Sequence, residues 1–255
     1  MSAEKFIILT HGRAGSTFLQ QLLDSHSSIT CYEEIFNASG NGPENFYSFC
    51  KRQYPKLSYL FLRGKISKSS LNFPLAFLFR KYIEHIYSTS EVKKIGFKLI
   101  YDQLLYCRPL MSWVVENSIP IIHLQRTNVL KATISLIIAH DTGIYVSSSV
   151  SFKKGQKVSV SPARILHELN QLSKQKLQCE SLTQNNPTLT VNYEDLFDNQ
   201  TLTIQQIMDF LGITNPSFQT PDIVKTNAEK ISEFVENYEA IRQALAGTPW
   251  EKYID

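Results

Sequence analysis

The sequence of 255 residues has few cysteines and little excess charge of either sign. Its four cysteines are far apart and form no CxxC pair, so neither a zinc site nor a disulfide framework is expected. The formal net charge is +3, which is too small an excess to predict nucleic-acid binding. These absences favour an ordinary globular protein whose main ligand is not a nucleic acid.

Long apolar runs are also missing. No stretch reaches the ~20 residues that a membrane span requires. The richest segment, residues 71–79, is too short and is followed by Arg80 and Lys81. The first residues contain a short apolar run that soon meets a polar loop, which is not the pattern of a signal peptide. We therefore expect a cytoplasmic protein without a membrane span.

Strand-like and helix-like segments alternate along the chain. Strands are expected at 6–9, 29–32, 95–99, 120–124 and 188–192. Helices are expected at 17–23, 73–87, 110–117, 129–139, 161–184, 203–211 and 231–245. This alternation predicts an α/β protein with a central parallel sheet and helices on both faces. The length suits one domain over residues 1–255.

Ligands of such sheets bind at the carboxyl ends of the strands. Loops at 11–16, 33–36, 98–102 and 126–128 are expected to leave strands at that edge. The segments 37–90 and 141–160 are the least regular, and the second could contain a hairpin. We expect these two insertions to shape the pocket for a second substrate.

The loop after the first strand has the features of a phosphate-binding site. It reads His11-Gly12-Arg13-Ala14-Gly15-Ser16-Thr17. Its two glycines permit tight turns and close approach of a ligand, and the next helix points free N–H groups at the loop. Arg13 adds a fixed charge, and the two hydroxyl residues add donors. An ordinary strand-to-helix turn with a Ser/Thr cap explains the local pattern about equally well.

This loop lacks what a nucleoside-triphosphatase loop needs. The pattern GxxGST has neither the longer arc nor the Lys-Ser/Thr pair of GxxxxGK[ST]. No predicted strand ends in an aspartate placed to hold magnesium. A nucleotide or nucleoside kinase of related fold is therefore a weaker alternative, and a non-catalytic nucleotide-binding module is another.

A second basic signal follows the strand at 120–124. Arg126 leaves the strand end, and Ser135 lies more than two turns along the next helix. An arginine at the sheet edge and a hydroxyl on the helix could hold one phosphate together. Taken alone, a surface arginine and a serine bonded to its own backbone is the simpler interpretation.

In combination, these segments resemble the family of sulfotransferases that use 3′-phosphoadenylyl sulfate (PAPS). The stretch HGRAGSTFLQQLLDSH is similar to the family's 5′-phosphosulfate loop, RTNVLKATIS to its 3′-phosphate motif, and VNYEDL to its Tyr-Glu-Asp-Leu strand end. Bacterial members share the pattern Arg-x-Asn-x-Leu with a later Ser, and a tail like residues 236–238 and 247–250. The order and spacing agree from residue 6 to about residue 250.

The sequence departs from the family pattern at two points. Many members have Lys or Arg followed by Ser-Gly-Thr in the first loop, where this chain has Arg13-Ala14-Gly15-Ser16-Thr17. Many have the arginine and serine of the second motif one residue closer together than Arg126 and Ser135. Either Thr133 or Ser135 could therefore face the phosphate, and we favour Ser135.

The resemblance implies a three-layer P-loop-like fold and a metal-independent transfer of a sulfuryl group from PAPS to an acceptor hydroxyl or amine. Adenosine 3′,5′-bisphosphate would be released. The residues that it implies for binding this donor are Gly12, Arg13, Ala14, Gly15, Ser16, Thr17, Arg126, Ser135, Tyr193 and Lys225. Tyr193 is expected against the adenine and Lys225 over the nucleotide, although a solvated lysine is the simpler interpretation of Lys225.

The catalytic residues implied are Arg13, Lys98, Glu34 and Glu33. Lys98 could reach the phosphosulfate, or it could be a lysine whose stem packs at a strand end with its head in water. Related bacterial sequences place a glutamate before an apolar-aromatic pair, which maps the general base to Glu34, with Glu33 as the runner-up. The acceptor is expected to be a small molecule, a glycan or a lipid, and a homodimer is allowed. His123, within an apolar strand, is expected in the core.

Overall fold

Five strands form one parallel sheet within the part of the chain that the computed structural model describes, which is residues 3–40, 42–56, 72–88, 92–143, 157–214, 217–219, 221 and 230–254. The strands are β1 (Glu4–Thr10), β2 (Ile29–Tyr32), β3 (Lys94–Ile100), β4 (Ile121–Gln125) and β5 (Thr188–Asn192). Their order is β2-β3-β1-β4-β5, and every neighbouring pair is parallel. All five strands predicted from the sequence are confirmed.

Helices connect the strands and cover the sheet. They are α1 (Ser16–Asp24), α2 (Phe46–Gln53), α3 (Asn72–Ser88), α4 (Tyr101–Tyr106), α5 (Arg108–Glu116), α6 (Val129–Thr142), α7 (Pro162–Leu182), α8 (Asp195–Asp198), α9 (Gln200–Leu211), α10 (Ile231–Phe234) and α11 (Tyr238–Leu245), with a short 3-10 helix at Glu251–Tyr253. None of these helices is both long enough and apolar enough to cross a membrane.

The central strand β1 separates the helices into two layers, because successive side chains of a strand point to opposite faces. Phe6 and Ile8 belong to a buried cluster with residues of α1 and α9. Ile7 and Leu9 belong to another buried cluster, with residues of α2 to α5. A third cluster joins α6, α7, α10 and α11. The α/β fold with helices on both faces of a parallel sheet is therefore confirmed.

Several helix ends follow from the local sequence. The side chain of Ser161 accepts a hydrogen bond from the Arg164 backbone N–H, and Pro162 takes the first helical position of α7, as predicted. Helix α9 ends at Gly212, which adopts a left-handed backbone conformation with φ of 63°. These caps set the direction in which the chain enters and leaves each helix.

The prediction of one helix over 231–245 is wrong. Helix α10 stops at Phe234, and Val235 forms a parallel bridge with Val158. The Glu236 backbone N–H then donates to the Val158 carbonyl. Pairing with this extended segment provides the hydrogen bonds that a continuous helix would have used, so the helix restarts only at Tyr238.

The prediction that residues 98–102 form a loop is also wrong. Strand β3 continues to Ile100, which pairs in register with Thr10 of β1, and α4 begins at the next residue. Lys98 therefore lies inside the strand, opposite Ile8. The register with β1 extends β3 one residue beyond the predicted strand, to Ile100. In the second irregular insertion, residues 144–156 and the hairpin considered there lie outside the described residues.

Candidate active site

The loop between β1 and α1 is held in an unusual backbone conformation. Thr10 Oγ1 donates to the Leu124 carbonyl at 2.8 Å, which ties the end of β1 to β4. Arg13 and Gly15 both have left-handed φ angles, of 64° and 77°. A residue with a side chain adopts this conformation rarely, and it persists only where the surrounding structure imposes it. The N–H groups of the first turn of α1, which starts at Ser16, face this loop.

Two arginines meet above this loop. Arg13 Nε donates to Ser135 Oγ at 2.9 Å, and Arg126 Nη1 donates to the Arg13 carbonyl at 3.1 Å. The Arg126 guanidinium also stacks over the Tyr193 ring, 4.8 Å from its centroid. Burial lowers the pKa of both arginines, but a guanidinium stays protonated at any physiological pH. The carboxyl edge of the sheet therefore carries two partly buried positive charges side by side.

The two hydroxyls considered on α6 have different surroundings, and which of them faces the phosphate stays a prediction. Ser135 reaches Arg13, whereas Thr133 is 3 % exposed within the core. Two small residues of the loop also have close neighbours in the interior. Ala14 is fully buried beneath the loop, and a methyl group on Gly12 would lie 3.2 Å from the Leu136 side chain. Ala14 therefore packs against the interior, and a side chain at Gly12 would have to displace Leu136.

Tyr193 packs against the loop between β1 and α1. It follows β5 directly, and its backbone N–H donates to the Gln125 carbonyl at 2.7 Å. Its ring packs between Gly15 and Arg126 and is 8 % exposed. These contacts position the loop and the guanidinium, while contact of Tyr193 with adenine stays a prediction.

Gly15→Ala is expected to lower the free energy of unfolding by about 2 kcal/mol. A methyl group on Gly15 would lie 2.3 Å from the Tyr193 ring, and the left-handed backbone would add its own strain. The corresponding fall in melting temperature is about 4–8 °C for a domain of this size. Gly247→Ala is the matched control, because Gly247 has a φ of 71° but no atom of the described residues lies within 4 Å of its added methyl. An equal fall for both variants would contradict the role of the Tyr193 contact.

A buried lysine joins the loop to the two predicted carboxylates. The side chain of Lys98 is 4 % exposed, so the alternative of a strand-end lysine with its head in water is excluded. Its Nζ lies 2.5 Å from Glu33 Oε2, 3.4 Å from Glu34 Oε1 and 3.2 Å from Thr17 Oγ1. The ammonium group therefore bridges the first turn of α1 and the loop that follows β2.

Glu34 is held more firmly than Glu33. Glu34 Oε2 accepts hydrogen bonds from Gln103 Nε2 at 3.0 Å and from Asn37 Nδ2 at 3.3 Å. The Glu34 side chain is 26 % exposed and that of Glu33 is 52 % exposed. Gln103 is itself fixed, because its Oε1 accepts from the Ile100 backbone N–H at 3.3 Å. A carboxylate with fixed orientation and partial solvent access is suited to accept a proton.

The sequence reasoning missed Gln103 and Asn37. Gln103 sits at the third position of α4, where a glutamine side chain commonly bonds back to the residue before the helix. That signal would have been recognisable if α4 had been predicted directly after β3. Asn37 lies in an irregular loop, where no periodic pattern indicates which way a side chain points.

Two buried histidines near this edge carry no charge at neutral pH. Burial lowers the pKa of His11 to about 4, and His11 Nδ1 lies 2.9 Å from the Gly12 carbonyl, so this nitrogen carries the proton. Burial also lowers the pKa of His123 to about 4, and its Nε2 lies 2.8 Å from the Tyr101 hydroxyl. The prediction that His123 belongs to the core is confirmed. Positive charge at this edge therefore comes from arginine and lysine side chains rather than from histidine.

The predicted site residues fall into two adjoining groups. One group, at the ends of β1, β4 and β5, contains the loop, Arg126, Ser135 and Tyr193. The other, at the ends of β2 and β3, contains Lys98 and the two glutamates. The bond between Lys98 and Thr17 connects them. Lys225 lies outside the described residues.

A glycine-containing loop between the central strand and the first helix, in a sheet of order β2-β3-β1-β4-β5, is the P-loop-like arrangement of α/β proteins. A family model described as "Sulfotransferase family" matches residues 5–217, which is well over half of the chain. The chain belongs to the sulfotransferase family. Transfer of a sulfuryl group is thereby favoured over the phosphoryl transfer of the kinase alternative.

Comparison with individual proteins supports this family assignment. Nodulation protein H of Rhizobium tropici is 22 % identical over 257 residues, which cover 100 % of this chain and 94 % of that protein. The crystal structure of sulfotransferase STF9 from Mycobacterium avium superimposes with a TM-score of 0.50 at 11 % identity, covering 96 % of this chain and 76 % of that chain. At this identity the second likeness concerns the fold alone, and it confirms the P-loop-like α/β fold.

Proposed function

We propose that this sulfotransferase takes its sulfuryl group from PAPS and transfers it in line to an acceptor hydroxyl, releasing adenosine 3′,5′-bisphosphate. One observation carries the proposal, which is the meeting of Arg13, Arg126 and Ser135 at the carboxyl edge of the sheet. PAPS differs from most adenine nucleotides in bearing phosphate at both the 3′ and the 5′ position. Two guanidinium groups, a hydroxyl and a helix N-terminus suit such a pair of phosphates.

The 5′-phosphate is assigned to the loop. Gly12 to Thr17 offer backbone N–H groups at the start of α1, and Arg13 offers a charge that can follow the bridging oxygen as negative charge develops there. The 3′-phosphate is assigned to Arg126 and Ser135. In the described structure Ser135 Oγ accepts from Arg13 Nε, and its own O–H can still donate to a phosphate oxygen.

The transfer step needs a base and a stabilised leaving group. The acceptor oxygen forms a bond to sulfur while the bond from sulfur to the bridging oxygen breaks, and the electron pair stays on the 5′-phosphate. The acceptor's proton passes to Glu34, which Gln103 and Asn37 hold in place. Lys98 lies between this carboxylate and Thr17, where its charge can stabilise both the carboxylate and the leaving phosphate.

Nucleotide binding tests the donor assignment directly. We expect adenosine 3′,5′-bisphosphate at about 100 times its Kd to stabilise the protein by about 2.7 kcal/mol, because a ligand that binds only the folded state adds its binding free energy. The melting temperature should rise by about 5–10 °C. AMP and ADP should give smaller shifts, and a chelator should leave the shift unchanged. No shift with the bisphosphate, or a larger one with magnesium-ATP, would contradict the proposal.

A further inference from the structure

Beside the two glutamates lies an open cavity of about 560 Å³. Residues of α1, β2 and the loop after β2 line it. This volume lies in the range of small-molecule sites, which is about 300–1,000 Å³. Because it adjoins Glu34, the proposed base, the cavity is the place where an acceptor molecule would lie.

The charge of this cavity is strongly negative. Four carboxylates line it, those of Asp24, Glu33, Glu34 and Glu44, and its described lining includes no lysine, arginine or histidine. Lys98, which pairs with both glutamates, has an almost fully buried side chain and can balance only one of the four charges. An acceptor with a carboxylate or sulfate of its own would meet repulsion here.

The amide nitrogens of Gln20, Asn37 and Asn45 around the cavity each donate at least one hydrogen bond within the protein. Gln20 Nε2 donates to the Cys31 carbonyl, and Asn37 Nδ2 donates to Glu34. Asn45 Nδ2 donates to the Asn37 carbonyl at 2.8 Å. The lining therefore offers a ligand chiefly the acceptor oxygens of its four carboxylates, beside the hydroxyls of Thr30 and Tyr32.

Gln20 adds a buried amide oxygen that has no donor among the described residues. Gln20 is 5 % exposed and lines the cavity from α1, yet its Oε1 accepts no hydrogen bond from any of the described residues. Its orientation is fixed by chemistry, because only the amide nitrogen can face the Cys31 carbonyl. A buried carbonyl oxygen without a partner costs free energy unless a ligand supplies a donor.

We propose that the acceptor carries a protonated amine that binds among the carboxylates of this cavity, while a separate hydroxyl of the same molecule is the group that is sulfated. This inference rests on the proposed function, since it concerns the acceptor of that reaction. An ammonium group presents three donors and no acceptor, which complements a lining of acceptors better than a neutral hydroxyl does. The ammonium has no free electron pair, so the nucleophile must be the hydroxyl.

The test compares two probes that differ at the amino group, which is protonated in one and acetylated in the other. Glucosamine oligomers and N-acetylglucosamine oligomers of equal length are titrated calorimetrically into the protein saturated with adenosine 3′,5′-bisphosphate, at mildly acidic pH so that the amines are protonated. We expect the amine-bearing oligomer to bind at least about tenfold more tightly, an advantage that weakens as salt screens the exposed carboxylates.

Two variants locate the effect in the cavity. Asp24→Asn and Glu44→Gln each remove one lining charge, and the asparagine can still accept the Cys31 backbone N–H that Asp24 Oδ1 accepts at 2.8 Å. Each should reduce the preference for the amine by about threefold or more. Glu116→Gln is the control, because Glu116 is exposed on α5 and does not line the cavity.

The outcomes separate this inference from the proposed function. Equal or tighter binding of the acetylated probe, no binding of the amine, or an equal loss in Glu116→Gln would overturn the inference. Failure of the bisphosphate to bind would instead count against the proposed donor. In that case the same titrations on the nucleotide-free protein still decide the charge preference of the cavity.

Discussion

Arg126→Ala should weaken the binding of adenosine 3′,5′-bisphosphate by about 100-fold, because removing a buried charge from its hydrogen-bonded partner typically costs about 2–5 kcal/mol. AMP lacks the 3′-phosphate, so its Kd should change far less. The Kd of AMP divided by the Kd of the bisphosphate, both measured by calorimetry, should therefore fall toward one. Taking the ratio matters, since Arg126 also bonds to the Arg13 carbonyl and its loss can disturb the 5′-site for both ligands.

Two further variants serve as comparisons for Arg126→Ala. Arg126→Lys keeps the charge but loses the planar fork and the stacking on Tyr193, so discrimination should be reduced only in part. Arg80→Ala removes an arginine whose side chain is 78 % exposed and is paired with Glu84 on α3, and it should change neither Kd. An unchanged ratio in Arg126→Ala would remove this residue from the 3′-site.

The second large effect is expected at Glu34. Glu34→Gln should lower kcat by about 10²–10⁴-fold, the usual contribution of a positioned base, with the Kd of adenosine 3′,5′-bisphosphate little changed. The side chains are nearly the same size, and the amide oxygen can still accept from Gln103. The measurement is the transfer of label from PAPS to an accepted substrate, with the melting temperature recorded alongside.

Glu33→Gln is the matched control for that variant. Glu33 pairs with the same lysine but is more exposed and lies outside the contacts of Gln103 and Asn37. Its loss should lower kcat by roughly tenfold or less. If Glu33→Gln proves the more damaging change and Glu34→Gln stays active, the two assignments must be exchanged.

The sequence predicted the centre of the sheet well because β1, β3 and β4 are short apolar runs buried on both faces. The runs around Phe6, Phe97 and Ile122 need no tertiary information to be recognised. The helix at 231–245 was predicted wrongly, since its pattern is helical while its hydrogen bonds go to residues 158–160. A partner so distant in sequence leaves no trace in local periodicity.

The candidate site was predictable in its parts but not in its connections. Motif order indicated Arg13, Arg126 and Ser135, and the structure brings them together. The bridge from Lys98 to Glu33 and Glu34 joins strands that are far apart in the chain, and no spacing rule predicts it. The role of each residue stays a prediction that the variants above address.

The position of β2 at the end of the strand order has a consequence for how such an enzyme diversifies. The cavity proposed for the acceptor is lined largely by this edge strand and the loop after it, whereas the arginine cluster of Arg13, Arg126 and Ser135 lies at the ends of β1 and β4 and on α6. Replacements at cavity-lining positions other than Glu33, Glu34 and Asn37 should therefore alter the accepted molecule while the interior strands, the proposed base and the arginine cluster are left intact. Natural selection, or a variant library confined to these positions, should therefore change which acceptor is used without changing the residues proposed to bind the donor.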